Sequence, residues 1–276
     1  MANKSANYSN FTKDLEKALI EEAIETKTLV FFDLETTGLY HTNPDILQIS
    51  AIRLDCCDSF DKYLLPMRKK QIDPDTEKII NIKYDSKDSK LYKIGDGKRS
   101  KSLPAMNPKQ GLSQFISWLQ AIYQQTDSKV VLVAYNAFGF DALVLMNRLK
   151  EHNLLRSFKS FCAGFCDPLI LAKERFSMLR NRKLESMLKY FQLIQEDEEQ
   201  THNAISDAYH LLRLTKRFNA GEDGMSSGPM WSMLQNYFKS TEEIEILLWT
   251  FQTQVSKPIY EFLLQNSYDE ILNIIL

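Results

Sequence analysis

Residues 28–39 read TLVFFDLETTGL. Leu29, Val30, Phe31 and Phe32 form an apolar run of strand formers with little alternation. Such a run suits a strand buried on both faces. Asp33 and Glu35 follow, one residue apart. Side chains two apart in a strand share a face, so both carboxylates can converge on one point. Thr36, Thr37 and Gly38 then break the pattern. Taken alone, the acid pair reads either as a polar strand end or as a cation site built from oxygen ligands.

Ile46 to Asp55 and Asp58 to Leu65 read as two further strands. The links between these first three strands are too short for a parallel crossover, so an antiparallel meander is expected. Further on, Lys129 to Tyr135 (KVVLVAY) reads as a second buried strand and Ser160 to Cys166 as the last. Helical periodicity covers Leu112–Tyr123 and Asp141–His152, with further helices at about 168–176, 183–191 and 203–218. Parallel pairing of the last two strands across a helix would follow the right-handed crossover rule. The expected fold is therefore α/β, a mixed five-stranded sheet flanked by helices. An amphipathic helix is expected from Asn10, with Phe11, Leu15 and Leu19 on one face, and short amphipathic helices from Pro229 to Leu276. This divides the chain into an N-terminal segment 1–27, a main domain 28–220, and a linker with C-terminal helical extension 221–276. That extension either folds back or makes a partner surface.

Residues 83–109 carry Lys83, Lys87, Lys90, Lys93, Lys98, Arg99, Lys101 and Lys109 against three aspartates. They read as a basic loop, either a solvated one or an arm that contacts a phosphate backbone. The 276-residue chain as a whole has net charge −2, so any nucleic-acid partner must be held by local patches or metal ions. Cys56, Cys57, Cys162 and Cys166 do not form a secreted disulfide pattern. Buried, reduced thiols fit better than a zinc site. No apolar run approaches the ~20 residues of a membrane span. The N-terminus has no signal-peptide core, so a cytoplasmic or nuclear location is expected, with no membrane partner.

Three separated stretches carry chemistry: Asp33 and Glu35; Asn136–Ala137–Phe138–Gly139–Phe140–Asp141 at a strand-to-helix turn; and His202–Asn203–Ala204–Ile205–Ser206–Asp207 entering a helix. In a mixed α/β layer such positions can share a crevice at the strand ends. Together they resemble the motifs of the DnaQ-like DEDDh 3′→5′ exonucleases, which have a ribonuclease H-like fold. The look is closest to the three-prime repair exonucleases and the exonuclease-like domains of promyelocytic leukaemia proteins. FCDPLILAKE and KLESMLKYFQL also resemble segments of that family, and the likeness covers roughly residues 27–218. Tyr135 departs from it, standing where the family usually has histidine, and the 83–109 segment is longer than in compact members.

The resemblance implies a metal-dependent 3′→5′ exonuclease that releases nucleoside 5′-monophosphates from DNA 3′ ends, single-stranded ones foremost. RNA 3′-end trimming and an inactive nucleic-acid-binding scaffold are the alternatives. Asp33, Glu35, Asp141 and Asp207 would hold two Mg²⁺ ions, with Mn²⁺ as a substitute. Hard cations of this kind take carboxylate, water and phosphate oxygens. His202 would be the general base, Glu35, Thr36 and Thr37 would receive the terminal nucleotide, and Leu39 would pack on its base. Asn136 either contacts substrate or fixes the turn before Asp141. A homodimer through the free edge of Asp58–Leu65 is permitted, unless the C-terminal helices cover that edge.

Overall fold

The computed structural model describes residues 27–39, 43–55, 58–67, 72–94, 101–195, 203–220 and 228–252. The expected helix from Asn10, the end of the C-terminal extension, Cys56, Cys57, Lys98, Arg99 and His202 lie outside these residues.

Strand β1 (Thr28–Thr36) is the spine of the main sheet. It pairs antiparallel with β2 (Ile46–Arg53), which pairs antiparallel with β3 (Ser59–Leu64). This is the expected meander. On its other side β1 runs parallel to β8 (Val130–Val133), and β8 runs parallel to β9 (Cys162–Cys166). The five expected strands are all present. Two short strands extend the sheet to seven: β7 (Ala105–Met106) beside β3 and β10 (Phe238–Ser240) beside β9.

The lack of alternation in β1 has the expected cause. Val30, Phe32 and Leu34 enter one core with α2 (Pro108–Thr126), α3 (Asp141–Glu151) and α9 (Thr241–Gln252). Leu29 and Phe31 enter the other, with α5 (Pro168–Arg175), α6 (Leu184–Tyr190) and α7 (Ala204–Asn219). Phe31 and Phe32 are both fully buried, worth about 1.5–3 kcal/mol each. The parity of the strand therefore assigns Asp33 and Glu35 to the α7 face. Helix α2 begins at Pro108, earlier than its apolar periodicity indicates, because Asn107 caps it and Pro108 supplies a preset φ at its first turn.

Three expectations are corrected. The 83–109 segment is not a plain loop. After α1 (Pro74–Ile80), strands β4 (Ile82–Asp85), β5 (Lys90–Lys93) and β6 (Lys101–Ser102) form a second, antiparallel sheet. Ile82 and Leu91 bury its inner side against Leu47, Ile72 and Ile80. The edge of β3 is not wholly free for dimer pairing, since Tyr63 and Leu64 pair with Ala105 and Met106. Nor does the described part of the C-terminal segment, to Gln252, cover that edge. β10 lies at the opposite end of the sheet, and Ile244, Leu247 and Leu248 of α9 enter the first core. Cys162 and Cys166 are buried free thiols in different cores, and burial raises both above the usual thiol range. Among the described residues no helix is long and apolar enough to cross a membrane.

The β9–β10 edge depends on one glycine. A Cβ on Gly164 would fall 2.2 Å from the carbonyl oxygen of Lys239. Overpacking of this kind costs about 1–3 kcal/mol, and each kcal/mol is about 2–4 °C of melting temperature at this size. Gly164→Ala is expected to lower the thermal midpoint by roughly 2–12 °C. An unchanged melt would mean that β10 moves aside without cost.

Candidate active site: carboxylates gathered at the strand ends

The strand register places the polar residues of the meander in rows. Asp33 lies opposite Ser50, and Ser50 opposite Asp61; Glu35 lies opposite Gln48, and Gln48 opposite Tyr63. Cross-strand partners share a face, so these six side chains line the face that also carries Leu29 and Phe31. The N-terminal turn of α7 brings Asp207 to it. Ligand oxygens of Asp33, Glu35 and Asp207 all lie within 4.8 Å of one another. Asp141 approaches from the first turn of α3, where the Leu34 backbone N–H donates to its carboxylate. Four of the five residues singled out in the three motifs are thus described, and all four carboxylates interact. His202 lies just before Asn203, the N-cap of α7.

The cluster is buried and strongly repulsive. Glu35, Asp141 and Asp207 are 7%, 4% and 8% exposed, whereas Asp33 keeps part of its surface open. Burial first, then the charges of Asp141, Glu35 and Asp207, hold Asp33 well above the usual carboxylate range. Glu35 is pushed up to about 8 by burial, then by Asp207 and Asp141. Asp141 is also pushed up to about 8; burial outweighs the backbone N–H groups that favour its charge. Buried carboxylates that repel one another are stable as anions only with a compensating cation.

The donor set fits a hard divalent ion. It is all oxygen, as Mg²⁺ and Mn²⁺ prefer. Two oxygens on one Mg²⁺ are at most about 4.2 Å apart, because each bond is about 2.1 Å. The three oxygens lie within 4.8 Å of one another, so a small inward shift brings them to that span.

The surrounding residues fix this arrangement. Gln48 Nε2 donates to Asp61 Oδ1 at 2.8 Å, and Ser50 Oγ donates to the same oxygen at 2.7 Å. The Ala204 backbone N–H donates to Gln48 Oε1 at 3.4 Å, tying the start of α7 to β2. His210 Nδ1 stands 3.9 Å from Asp207 Oδ1 on the next turn of the helix. At the second motif Asn136 has φ 69°, in the left-handed region where asparagine is enriched. Its N–H donates to Asp167 Oδ1 at 2.9 Å, and the Phe138 N–H donates to Asp167 Oδ2 at 3.3 Å. This is a turn-forming geometry. The Tyr135 hydroxyl donates to the Arg182 carbonyl, so the residue that replaces the family's histidine anchors the loop after α5.

The turn following Glu35 is closed by its own bonds. Thr36 Oγ1 donates to the Gly38 carbonyl at 2.8 Å, the Thr37 N–H donates to the Asp45 carbonyl at 2.9 Å, and the Asp45 N–H donates to Thr37 Oγ1 at 2.9 Å. Leu39 stands at its tip, 64% exposed. Gln48, Asp61 and Asp167 are structural members of the site that the motifs do not mark. Asp167 had a local signal, since Asp-Pro is an N-cap followed by proline at the first helical position. For Gln48 and Asp61 the signal was polar alternation in two strands otherwise set toward a core.

Residues 27–193 match the model of the Exuperantia RNase H-like domain. Among solved structures, the zinc-bound complex of E. coli exonuclease I with single-stranded DNA aligns with a TM-score of 0.52 at 18% identity, over 72% of this chain and 42% of that one. The E. coli exonuclease I complex with a dA16 oligonucleotide gives 0.54 at 16%, over 72% and 42%. An exonuclease I structure described for its bearing on processivity gives 0.54 at 16%, over 82% and 44%. At these identities the likeness shows the fold, and it is the DnaQ-like exonuclease fold implied by the three motifs. The chain spans about two fifths of the length of those exonuclease I chains. No curated protein sequence matches it.

Proposed function

Because the chain belongs to the Exuperantia RNase H-like domain family and brings four carboxylates together on an exonuclease fold, we propose that it is a divalent-cation-dependent 3′→5′ exonuclease acting on single-stranded DNA. The observation that carries this reading is the convergence of Asp33, Glu35 and Asp207, with Asp141 beside them. A scaffold that only bound nucleic acid would gain nothing from buried, mutually repelling acids, which cost stability.

Two Mg²⁺ or Mn²⁺ ions held by Asp33, Glu35, Asp141 and Asp207 would supply an activated water and neutralise charge on the leaving oxygen. The protein's own residues do the rest. His202 accepts the proton of the attacking water, a task suited to an imidazole whose unperturbed pKa is about 6.5. The water oxygen bonds to phosphorus, the bond to the 3′-oxygen of the preceding nucleotide breaks, and a nucleoside 5′-monophosphate leaves. The bonded turn at Glu35, Thr36 and Thr37 presents backbone groups to the terminal nucleotide, and exposed Leu39 packs on its base. Asn136 serves by holding the turn that aims Asp141.

The test follows loss of label from matched DNA and RNA strands tagged at either end, with and without Mg²⁺. Stepwise shortening of DNA from the 3′ end is expected; equal shortening of RNA would widen the substrate class. His202→Ala is expected to lower the rate by about 10²–10⁴-fold, the usual contribution of a general base. A variant as fast as the parent would remove His202 from the mechanism.

A further inference from the structure

The geometry points to His210 as a positioning residue of the cation site, one that fixes the Asp207 carboxylate on the ion by donating a hydrogen bond from Nδ1 to Oδ1. This rests on the proposed cation-dependent reading and adds a residue that none of the three motifs contains.

Helix α7 sets the relation. His210 follows Asp207 by three residues, so the two side chains are neighbours on one side of the helix. The imidazole is mostly enclosed, with 16% of its side chain exposed. Its Nδ1 is fully buried and makes no hydrogen bond among the described residues. That nitrogen stands 3.9 Å from Asp207 Oδ1, roughly 1 Å beyond the reach of a hydrogen bond. A buried polar atom without a partner lowers stability, and in a native structure it calls for a reason. An apolar side chain at position 210 would avoid the cost.

The site supplies the reason. A carboxylate that holds a metal ion through one oxygen is itself held by a hydrogen-bond donor outside the ligand set. Asp141 has such a donor in the Leu34 N–H. For Asp207 the side-chain donor standing nearby is His210 Nδ1. The ligand oxygens of Asp33, Glu35 and Asp207 lie within 4.8 Å of one another, so an entering ion draws them together by a small shift. The last torsion of an aspartate side chain is broad. Oδ1 can therefore close on Nδ1 while the second oxygen takes the ion. Only an N–H on Nδ1 is needed, and one neutral tautomer carries it, so the bond forms with no change in the charge of the ring.

The test is a Mn²⁺ titration of the full chain at pH 8, following the paramagnetic signal of the free ion. It compares the parent with His210→Leu, His210→Gln and His210→Asn. Asparagine carries its amide nitrogen where histidine carries Nδ1. Glutamine carries it farther out, near the place of Nε2, and leucine has none. Loss of a hydrogen-bond partner outside the ligand set weakens metal binding by about 10–100-fold. The Leu and Gln variants are expected to fall by that factor, and the Asn variant to stay close to the parent. Melts in EDTA should place the Leu variant at or above the parent, because a buried nitrogen without a partner is gone. Equal Mn²⁺ affinity in all four chains would overturn the role of His210 and leave the carboxylate site standing. Equal loss in all three variants would tie the effect to the bulk of the ring, not to Nδ1, and would overturn it as well. A parent that binds no Mn²⁺ would overturn both this assignment and the cation site.

Discussion

Asp33→Asn is expected to lower 3′-end hydrolysis by about 10³-fold or more while leaving the metal-free protein at least as stable as the parent. The two halves of this result have one cause. Asp33 sits on the central strand, and its carboxylate feels three others, those of Asp141, Glu35 and Asp207. The amide keeps the shape and the strand but removes a charge. Metal ions at such sites contribute several kcal/mol of transition-state stabilisation, and each 1.36 kcal/mol is tenfold in rate. Losing about 4 kcal/mol gives the stated factor. In the metal-free protein the same change removes a source of repulsion, so the thermal midpoint should hold or rise. Steady-state rates and a melt in EDTA check both halves. A variant within tenfold of the parent rate would take Asp33 out of the chemistry. A large fall in metal-free stability would make it a structural residue.

The second large effect is on stability. Glu35 and Asp141 are each held at about 8 in the folded chain, against about 4.3 and 3.9 for unperturbed side chains. Between those values the folded state binds more protons than the unfolded state. Stability of the metal-free protein is therefore full below about pH 4 and falls as pH rises to about 8. A divalent ion takes the place of those protons, so its affinity rises with pH. At a hundredfold excess over its dissociation constant an ion adds about 2.7 kcal/mol, or roughly 5–10 °C at this size. The Mg²⁺-induced rise in thermal midpoint is expected to be small at pH 5 and to reach that range at pH 8. Asp207→Asn should shrink it. A rise that is equal at both pH values would mean that the ion binds elsewhere.

How much of this could be read from residues alone varies with the element. β1 was readable because a strand buried on both faces leaves an apolar run with no alternation, and the acid pair at its end shares one face by parity alone. The three motifs gave the carboxylates because each puts an acid where a strand end meets a turn or where a helix begins. Strands β7 and β10 were not readable. They are two and three residues long, too short for any period, and exist only because a neighbouring edge is there to pair with. The small sheet was hidden for another reason. Its strands carry lysines at positions that a half-buried strand usually gives to apolar residues, so composition indicated a loop while Ile82 and Leu91, with Tyr84 partly buried beside them, supplied the buried side. For Gln48 and Asp61 polar alternation marked a face, but their roles are set by register across β1, β2 and β3, which no local pattern records.

The most direct measurement is a titration of the full chain with Mn²⁺, following the paramagnetic signal of the free ion, for the parent and for Asp33→Asn and Asp207→Asn. The parent should bind the ion saturably at pH 8 and much more weakly at pH 5, and each variant should lose most of that binding at pH 8. Binding that is absent in the parent, or equal in all three chains, would contradict the claim that these carboxylates form one cation site.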